Sequence, residues 1–317
     1  MKSTLAFVFP GQGSQHIGML GELASAYPQV LQMFATVSDR LGYDLWKLIQ
    51  QGPEERLNQT EHTQAAMLTA DVAIYTLVEQ RLGYKPSIMA GHSLGEYAAL
   101  VCANAIDLVD AAELVSHRGR LMQEAVPLGL GAMAVIVGLP DDKIQAICAQ
   151  ASTAREQVTP ANYNAIGQVV IAGHLPAVDR AMAFAEAVGA RMAKVIPVSV
   201  PCHCSLLQSA ADRFEEYLQT APFRTPEARV ISNVDLSTYD SPEQIKRLLK
   251  EQLHQPVRWV ETIQSMKHSG VQHVVECGPG RVLSGLVKRI DNSLNAMSIC
   301  DNTSLDTVLT KIEALPE

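Results

Sequence analysis

Short apolar segments alternate along this chain with longer alanine- and leucine-rich segments of helical spacing, and that alternation limits the fold more than any other feature. Strands are expected at 4–9 (TLAFVF), 87–90 (SIMA), 132–138 (AMAVIVG), 168–172 (QVVIA), 191–199 (RMAKVIPVS), 229–232 (RVIS), 272–276 (QHVVE) and 296–300 (AMSIC). Helices are expected between most of them, among others over 64–82, 93–104, 107–125 and 280–290. The alternation implies an α/β fold around a mainly parallel sheet.

The middle of the chain reads differently. From 132 to 199 the order is strand, helix (140–151), a short extended stretch near 157–163, strand, helix (175–187) and strand, the β-α-β-β-α-β order of a ferredoxin-like unit. A small domain, 128–199, is therefore expected as an insertion in a large one formed by 1–127 and 200–317. Proline and glycine punctuate both borders, in VPLGLG at 126–131 and VSVPC at 198–202.

A chain of 317 residues that is 47% hydrophobic can bury a sizeable core. Its formal charge of −8, from 25 basic and 33 acidic residues, argues against affinity for nucleic acid built on phosphate neutralisation. The segment 128–199 carries five acidic and five basic residues, so the excess negative charge belongs to the rest of the chain. The first apolar run is too short for a signal peptide, and AALVCANAIDLV is broken by Asn104 and Asp107, so no membrane association is expected. Six cysteines without an export signal suggest reduced thiols in the cytoplasm. Cys202 and Cys204 flank His203 in PCHC, but the usual two-residue gap and a second Cys/His pair are missing, so no metal is expected.

GHSLG at 91–95 matches G-x-S-x-G, the strand–turn–helix elbow that lifts a serine hydroxyl above a sheet edge. A chance match falls in roughly one chain in ten of this length. The context is what distinguishes it: an apolar strand precedes and a helical run follows. Ser93 is thus a candidate nucleophile, with a helix-capping serine as the plainer alternative. The helix start after it would offer the Leu94 amide to an oxyanion. FPGQGSQ at 9–15 follows the first strand in the same way, and at the carboxyl edge of a parallel sheet the Gln12 N–H could face the elbow. A phosphate loop is disfavoured, because neither G-K-S/T nor a complete G-x-G-x-x-G follows.

A serine nucleophile needs a base, and nine histidines offer themselves. His92 adjoins Ser93, but side chains diverge on an elbow, so a packed or solvated role is expected. His203 stands where the small domain returns to the large one, a natural place for a cleft. His273, followed by Glu276, has the late position of a hydrolase histidine, yet it lies in an expected buried strand and reads as core. Arg118, in AELVSHRGRLM, is either a solvated helix residue or a guanidinium turned into the cleft to bind a carboxylate.

The set FPGQGSQ, GHSLGEYAAL, HRGRLMQ, SVPCHC, QPVRW and ECGPGRVLSGLVKRI resembles the malonyl-CoA:acyl carrier protein transacylase family of fatty acid synthesis, in the same order over nearly the whole chain. The resemblance implies a large α/β-hydrolase-like domain with an inserted ferredoxin-like domain. It implies Ser93 as nucleophile, His203 as base, Arg118 as carboxylate ligand and the amides of Gln12 and Leu94 as oxyanion donors. The family has no triad acid, and its histidine is oriented by a glutamine main-chain carbonyl, which here matches Gln252. Cys202 stands where the family usually has serine. No bound cofactor is implied. The substrate would be malonyl-CoA and the partner acyl carrier protein, with a ping-pong cycle through malonyl-Ser93.

Two other functions compete with acyl transfer. A serine esterase or thioesterase would need an acidic residue for its triad, and a carrier-binding module with a dead site sits poorly with Ser93, His203 and Arg118 all present. An acidic carrier would need a local basic surface, for which Arg281, Lys288 and Arg289 are candidates, with Arg191 and Lys194 a second set; ordinary solvated side chains are the alternative.

Overall fold

The computed structural model of the chain describes residues 4–83, 86–127, 129–198 and 200–315. Its strands are β1 (Leu5–Phe9), β2 (Ile88–Gly91), β3 (Gly131–Val137), β4 (Val158–Ala165), β5 (Gln168–His174), β6 (Met192–Val195), β7 (Arg229–Ile231), β8 (His273–Cys277) and β9 (Asn295–Ile299). One sheet has the order β7-β2-β1-β8-β9 with every pair parallel. The other has the order β4-β5-β3-β6 with every pair antiparallel.

A parallel sheet needs cover on both faces, and β1 shows how its sequence obtains it. All five residues of LAFVF are buried. Because side chains alternate across a strand, Leu5, Phe7 and Phe9 join one core while Ala6 and Val8 join another. Helices including Thr60–Leu82, Gly95–Cys102, Leu108–Ala125, Gln208–Thr220 and Asn302–Glu313 supply the first core; Trp259–His268 and Val282–Ile290 supply the second. The antiparallel sheet packs Asp141–Ala151 and Leu175–Ala187 on one face. Its other face presents Met133, Val170 and Ala172 with Cys204.

The two sheets are stitched by main chain. Tyr163 N–H on β4 donates to Val257 O, and Val257 N–H donates to Ala161 O, each at 2.9 Å. Residues just after Gln252 thus bond to the antiparallel sheet, while Trp259 packs beneath the parallel one.

Expected elements and observed ones differ mainly at their ends. The helix expected over 93–104 runs Gly95–Cys102, because Ser93 has φ 53° and cannot be helical. The strand expected over 191–199 is only Met192–Val195: Ile196 N–H still reaches Met133 O at 2.9 Å, and Pro197 then brings no N–H to the ladder. Its last expected residue, 199, and one border of each expected domain junction, 128 and 199, lie outside the described residues. The long helix begins at Thr60, four residues before its expected start at 64. His273 is not core: it opens β8 half-exposed, and Asn295 Nδ2 lies 3.2 Å from its Nδ1. Glu276 is the buried member of that pair, accepting from the N–H groups of Leu283 and Ser284 at 3.0 and 2.7 Å at the start of a helix.

Asp71, fully buried in the long helix, has no hydrogen-bond partner for either oxygen among the described residues. Burial, with the nearby Glu276 charge adding, holds its carboxyl well above the usual carboxylate range. The unfolded chain releases this proton near the ordinary value and the folded chain keeps it, so the folded state loses stability as pH rises above about 4. Asp71→Asn should therefore match the parent near pH 4 and exceed it increasingly at higher pH, by up to about 1.4 kcal/mol for each pH unit over which the proton is kept. Urea unfolding from pH 4 to 8 measures this, and parallel stability curves for the two proteins would refute it.

Candidate active site

Loops that leave the carboxyl edge of the parallel sheet converge on one cleft, as they do in open α/β sheets generally. After β2 the chain turns through His92 and Ser93 directly into a helix. Two glycines make the turn fit: a side-chain carbon on Gly91 would lie 1.8 Å from the Gly95 carbonyl carbon, and one on Gly95 would lie 2.0 Å from Phe9 O. His92 N–H donates to Phe9 O at 2.9 Å, which ties the loop that carries Gln12 to the elbow. Asn233, just beyond β7, clamps the turn: its Oδ1 accepts from Ser93 N–H at 2.8 Å and its Nδ2 donates to Gly91 O at 2.7 Å.

Ser93 Oγ lies 2.7 Å from His203 Nε2. His203 Nδ1 lies 2.7 Å from the main-chain oxygen of Gln252, which can only accept, so Nδ1 carries the proton and Nε2 offers its lone pair to the serine hydroxyl. The histidine is 2% exposed, and burial together with the Arg118 charge pushes it down to about 3. At neutral pH the ring is therefore uncharged and able to take a proton from Ser93.

Arg118 does lie in the cleft, not on a solvated face, and it is 1% exposed. Nη1 donates to Gln64 Oε1 at 2.9 Å and Nη2 to Gln252 Oε1 at 3.0 Å, while Ser93 Oγ is 3.4 Å from Nη2. Its Nε has no partner among the described residues, and its guanidinium lies over the Tyr97 ring, 5.5 Å from the centroid. A buried cation whose hydrogen-bond partners among the described residues are all neutral, beside a serine hydroxyl, suits an anionic group on the molecule that reacts there.

The cleft has a volume of about 1010 Å³, and Gln12, Leu94, Ser93, Arg118 and His203 all line it. Met133, Val170 and Cys202 bring the antiparallel sheet and its exit segment to the opposite wall. Burial pushes the Cys202 thiol up to about 11, so it is protonated at neutral pH. Among the described residues no cluster of three histidine, cysteine or acidic side chains is arranged to hold a metal. His92 turns away from the serine: its Nε2 lies 2.8 Å from Asn164 Oδ1, and its ring packs edge-on against Trp259. Arg281, Lys288 and Arg289 are exposed near the rim, where Val282 and Leu286 of the same helix line the cleft; Arg289 also donates to Gln168 Oε1 at 2.7 Å. Arg191 and Lys194 are exposed as well.

Asn233 and Glu96 escaped the sequence reading. Glu96 follows the elbow in GHSLGE and is the only charged residue of GEYAALVC, a helix buried throughout, and that placement was a usable signal. It accepts from Gln252 Nε2 at 2.6 Å, from Asn233 N–H at 3.2 Å and from the Tyr239 hydroxyl. Burial, partly offset by these donors, pushes it up to about 7.

A serine on an elbow with a neutral histidine and a buried cation, set at the edge of a parallel α/β sheet, is an arrangement suited to acyl transfer. Residues 6–304 match the acyl transferase domain family. The malonyl CoA-acyl carrier protein transacylase of Escherichia coli K12 is 50% identical over 96% of this chain and 98% of its own. The Coxiella burnetii malonyl CoA-acyl carrier protein transacylase superposes with a TM-score of 0.95 at 49% identity, covering 97% of each chain. A malonyl-transacylase solved in complex with a type II PKS acyl-carrier protein gives a TM-score of 0.95 at 51% identity, over 97% of this chain and 99% of that one. The chain belongs to the malonyl CoA-acyl carrier protein transacylase family of acyl transferases.

Asn233→Ala should leave the Ser93 N–H and the Gly91 carbonyl unpartnered inside the protein, a loss of about 1–3 kcal/mol for a buried polar group. A denaturation midpoint unchanged from the parent would show that the clamp does not hold the elbow.

Proposed function

We propose that the protein moves a malonyl group from malonyl-CoA to the phosphopantetheine thiol of acyl carrier protein, through an ester on Ser93. The observation that carries this reading is the pairing of Ser93 and a neutral His203 with a buried Arg118 whose hydrogen-bond partners among the described residues are neutral. Family membership and the relatives' activity support it.

In the first half-reaction His203 Nε2 takes the proton from Ser93 Oγ as that oxygen bonds to the thioester carbon. The amides of Gln12 and Leu94 receive the oxyanion, Arg118 holds the malonyl carboxylate, and the C–S bond breaks as the departing CoA sulfur takes the proton. In the second half the carrier thiol gives its proton to His203, its sulfur attacks the ester carbon, and Ser93 Oγ leaves with that proton. The Gln252 carbonyl keeps His203 in the tautomer both halves require. No cofactor takes part.

The same reading sets the expected domains within the observed layers. Segment 128–199 forms a ferredoxin-like unit inserted into a hydrolase-like domain, which the strand order β4-β5-β3-β6 supports. The basic side chains Arg281, Lys288 and Arg289 beside the cleft receive the acidic carrier. The reaction runs in the cytoplasm, where CoA thioesters meet free thiols such as the six present here.

Incubation with malonyl-CoA should add one malonyl mass to the protein and none to Ser93→Ala, and holo carrier protein should clear the adduct far faster than water alone. Prompt loss in water would mark a hydrolase instead. Arg118→Ala should lose at least tenfold of the preference for malonyl over acetyl donors, read as the ratio of their kcat/KM values, since a bidentate charged contact is worth roughly 1.5–3 kcal/mol.

A further inference from the structure

We infer that Glu96 is a positioning residue that fixes which way round the Gln252 side-chain amide stands, and through that amide where Arg118 points; the inference rests on the transferase reading above, in which Arg118 holds the substrate carboxylate. Glu96 and Gln252 are both fully buried. An ionised carboxylate accepts hydrogen bonds and donates none. Among the described residues, the hydrogen-bond partners of Glu96 are donors: the Tyr239 hydroxyl on one oxygen, Asn233 N–H and Gln252 Nε2 on the other. The Gln252 amide also faces the Ser93 carbonyl at 3.0 Å, a second pure acceptor. Its NH₂ end must therefore point at Glu96 and Ser93, and its oxygen is left to accept from Arg118 Nη2 at 3.0 Å.

Turning the amide over would set its oxygen against a carboxylate and a carbonyl, and its NH₂ against a guanidinium. All three contacts would then oppose like with like in a site closed to water. One carboxylate thus decides the orientation of an amide, and the amide decides the acceptor that Arg118 meets. The relay also explains why Glu96 and Arg118 are not paired directly. A direct ion pair would occupy the guanidinium fork and compete with an incoming carboxylate. Passing the orientation through a neutral amide holds Arg118 in place without neutralising its charge, and leaves N–H donors of the guanidinium for an incoming carboxylate. Gln64 supplies the second neutral acceptor at 2.9 Å.

Glu96→Gln keeps the shape and abolishes the one-way preference, because its own amide can present either end. The test measures kcat/KM for malonyl-CoA and acetyl-CoA at pH 8 for the parent, Glu96→Gln, Arg118→Ala and the double variant. Glu96→Gln should lose at least tenfold of the malonyl preference, chiefly as a raised KM for malonyl-CoA, with acetyl transfer within threefold of the parent. The double variant should match Arg118→Ala within twofold, since the carboxylate acts only through the arginine. Multiplicative losses, or an unchanged preference in Glu96→Gln, would overturn the inference. If the parent shows no malonyl preference, or Arg118→Ala retains it, the transferase reading fails first and separately. Should Glu96→Gln not fold, Gln252→Met removes the relay while keeping the main-chain carbonyl; it should show the same loss of preference, and its absence would equally overturn the inference.

Discussion

The site depends on Gln252, a residue whose main chain and side chain do different work. Its carbonyl fixes the His203 tautomer, and its amide touches the Ser93 carbonyl, Glu96 and Arg118. Main-chain bonds a few residues later, at Val257, join the same segment to β4 of the antiparallel sheet. His203, the elbow and the guanidinium are therefore all referenced to one residue at the end of the helix Pro242–Gln252, in a segment bonded to the antiparallel sheet. Such shared referencing holds reacting groups to the small tolerances that catalysis by proximity requires.

Using a carbonyl where many serine enzymes use a carboxylate has an electrostatic reason in this cleft. A carboxylate on His203 Nδ1 would stabilise an imidazolium, but it would also lie close to Arg118 and weaken that cation's hold on a second anion. The carbonyl orients the ring without adding charge. Burial and Arg118 together keep the histidine neutral, so it can accept the serine proton, and the buried Glu96 carboxylate meets Arg118 only through the Gln252 amide.

The sheet strands were legible because buried parallel strands are apolar on both faces, and LAFVF can be little else. Helix and strand ends were less so, since they are set by tertiary contacts: Ser93 leaves helical geometry because Phe9 and Gly95 meet across the elbow, a contact spanning most of the first hundred residues. Ser93, His203 and Arg118 could be nominated from local patterns and a family likeness. Their partners could not be read locally, because Asn233 meets Ser93 across 140 positions of sequence and Gln252 meets it across 159. His273 misled for a related reason: strand position alone does not say which end of a strand is solvated, and it stands at the partly exposed first residue of β8.

What separates transfer from hydrolysis in such a site is whether the second acceptor can outcompete water for the ester. Nothing in the Ser93–His203 pair distinguishes a thiol from a water molecule, as both need only a proton acceptor at Nε2. The discrimination must come from the walls. Met133 and Val170 line one side of the cleft and Val282 and Leu286 another, apolar side chains from which, under the proposed function, a slender thiol-bearing arm would displace water on arrival. Under the proposed function Arg118, which lines the same cleft, would hold the acyl group's carboxylate while the thiol attacks. On this argument the antiparallel sheet is part of the chemistry, because removing its face would open the ester to solvent while leaving nucleophile and base in place.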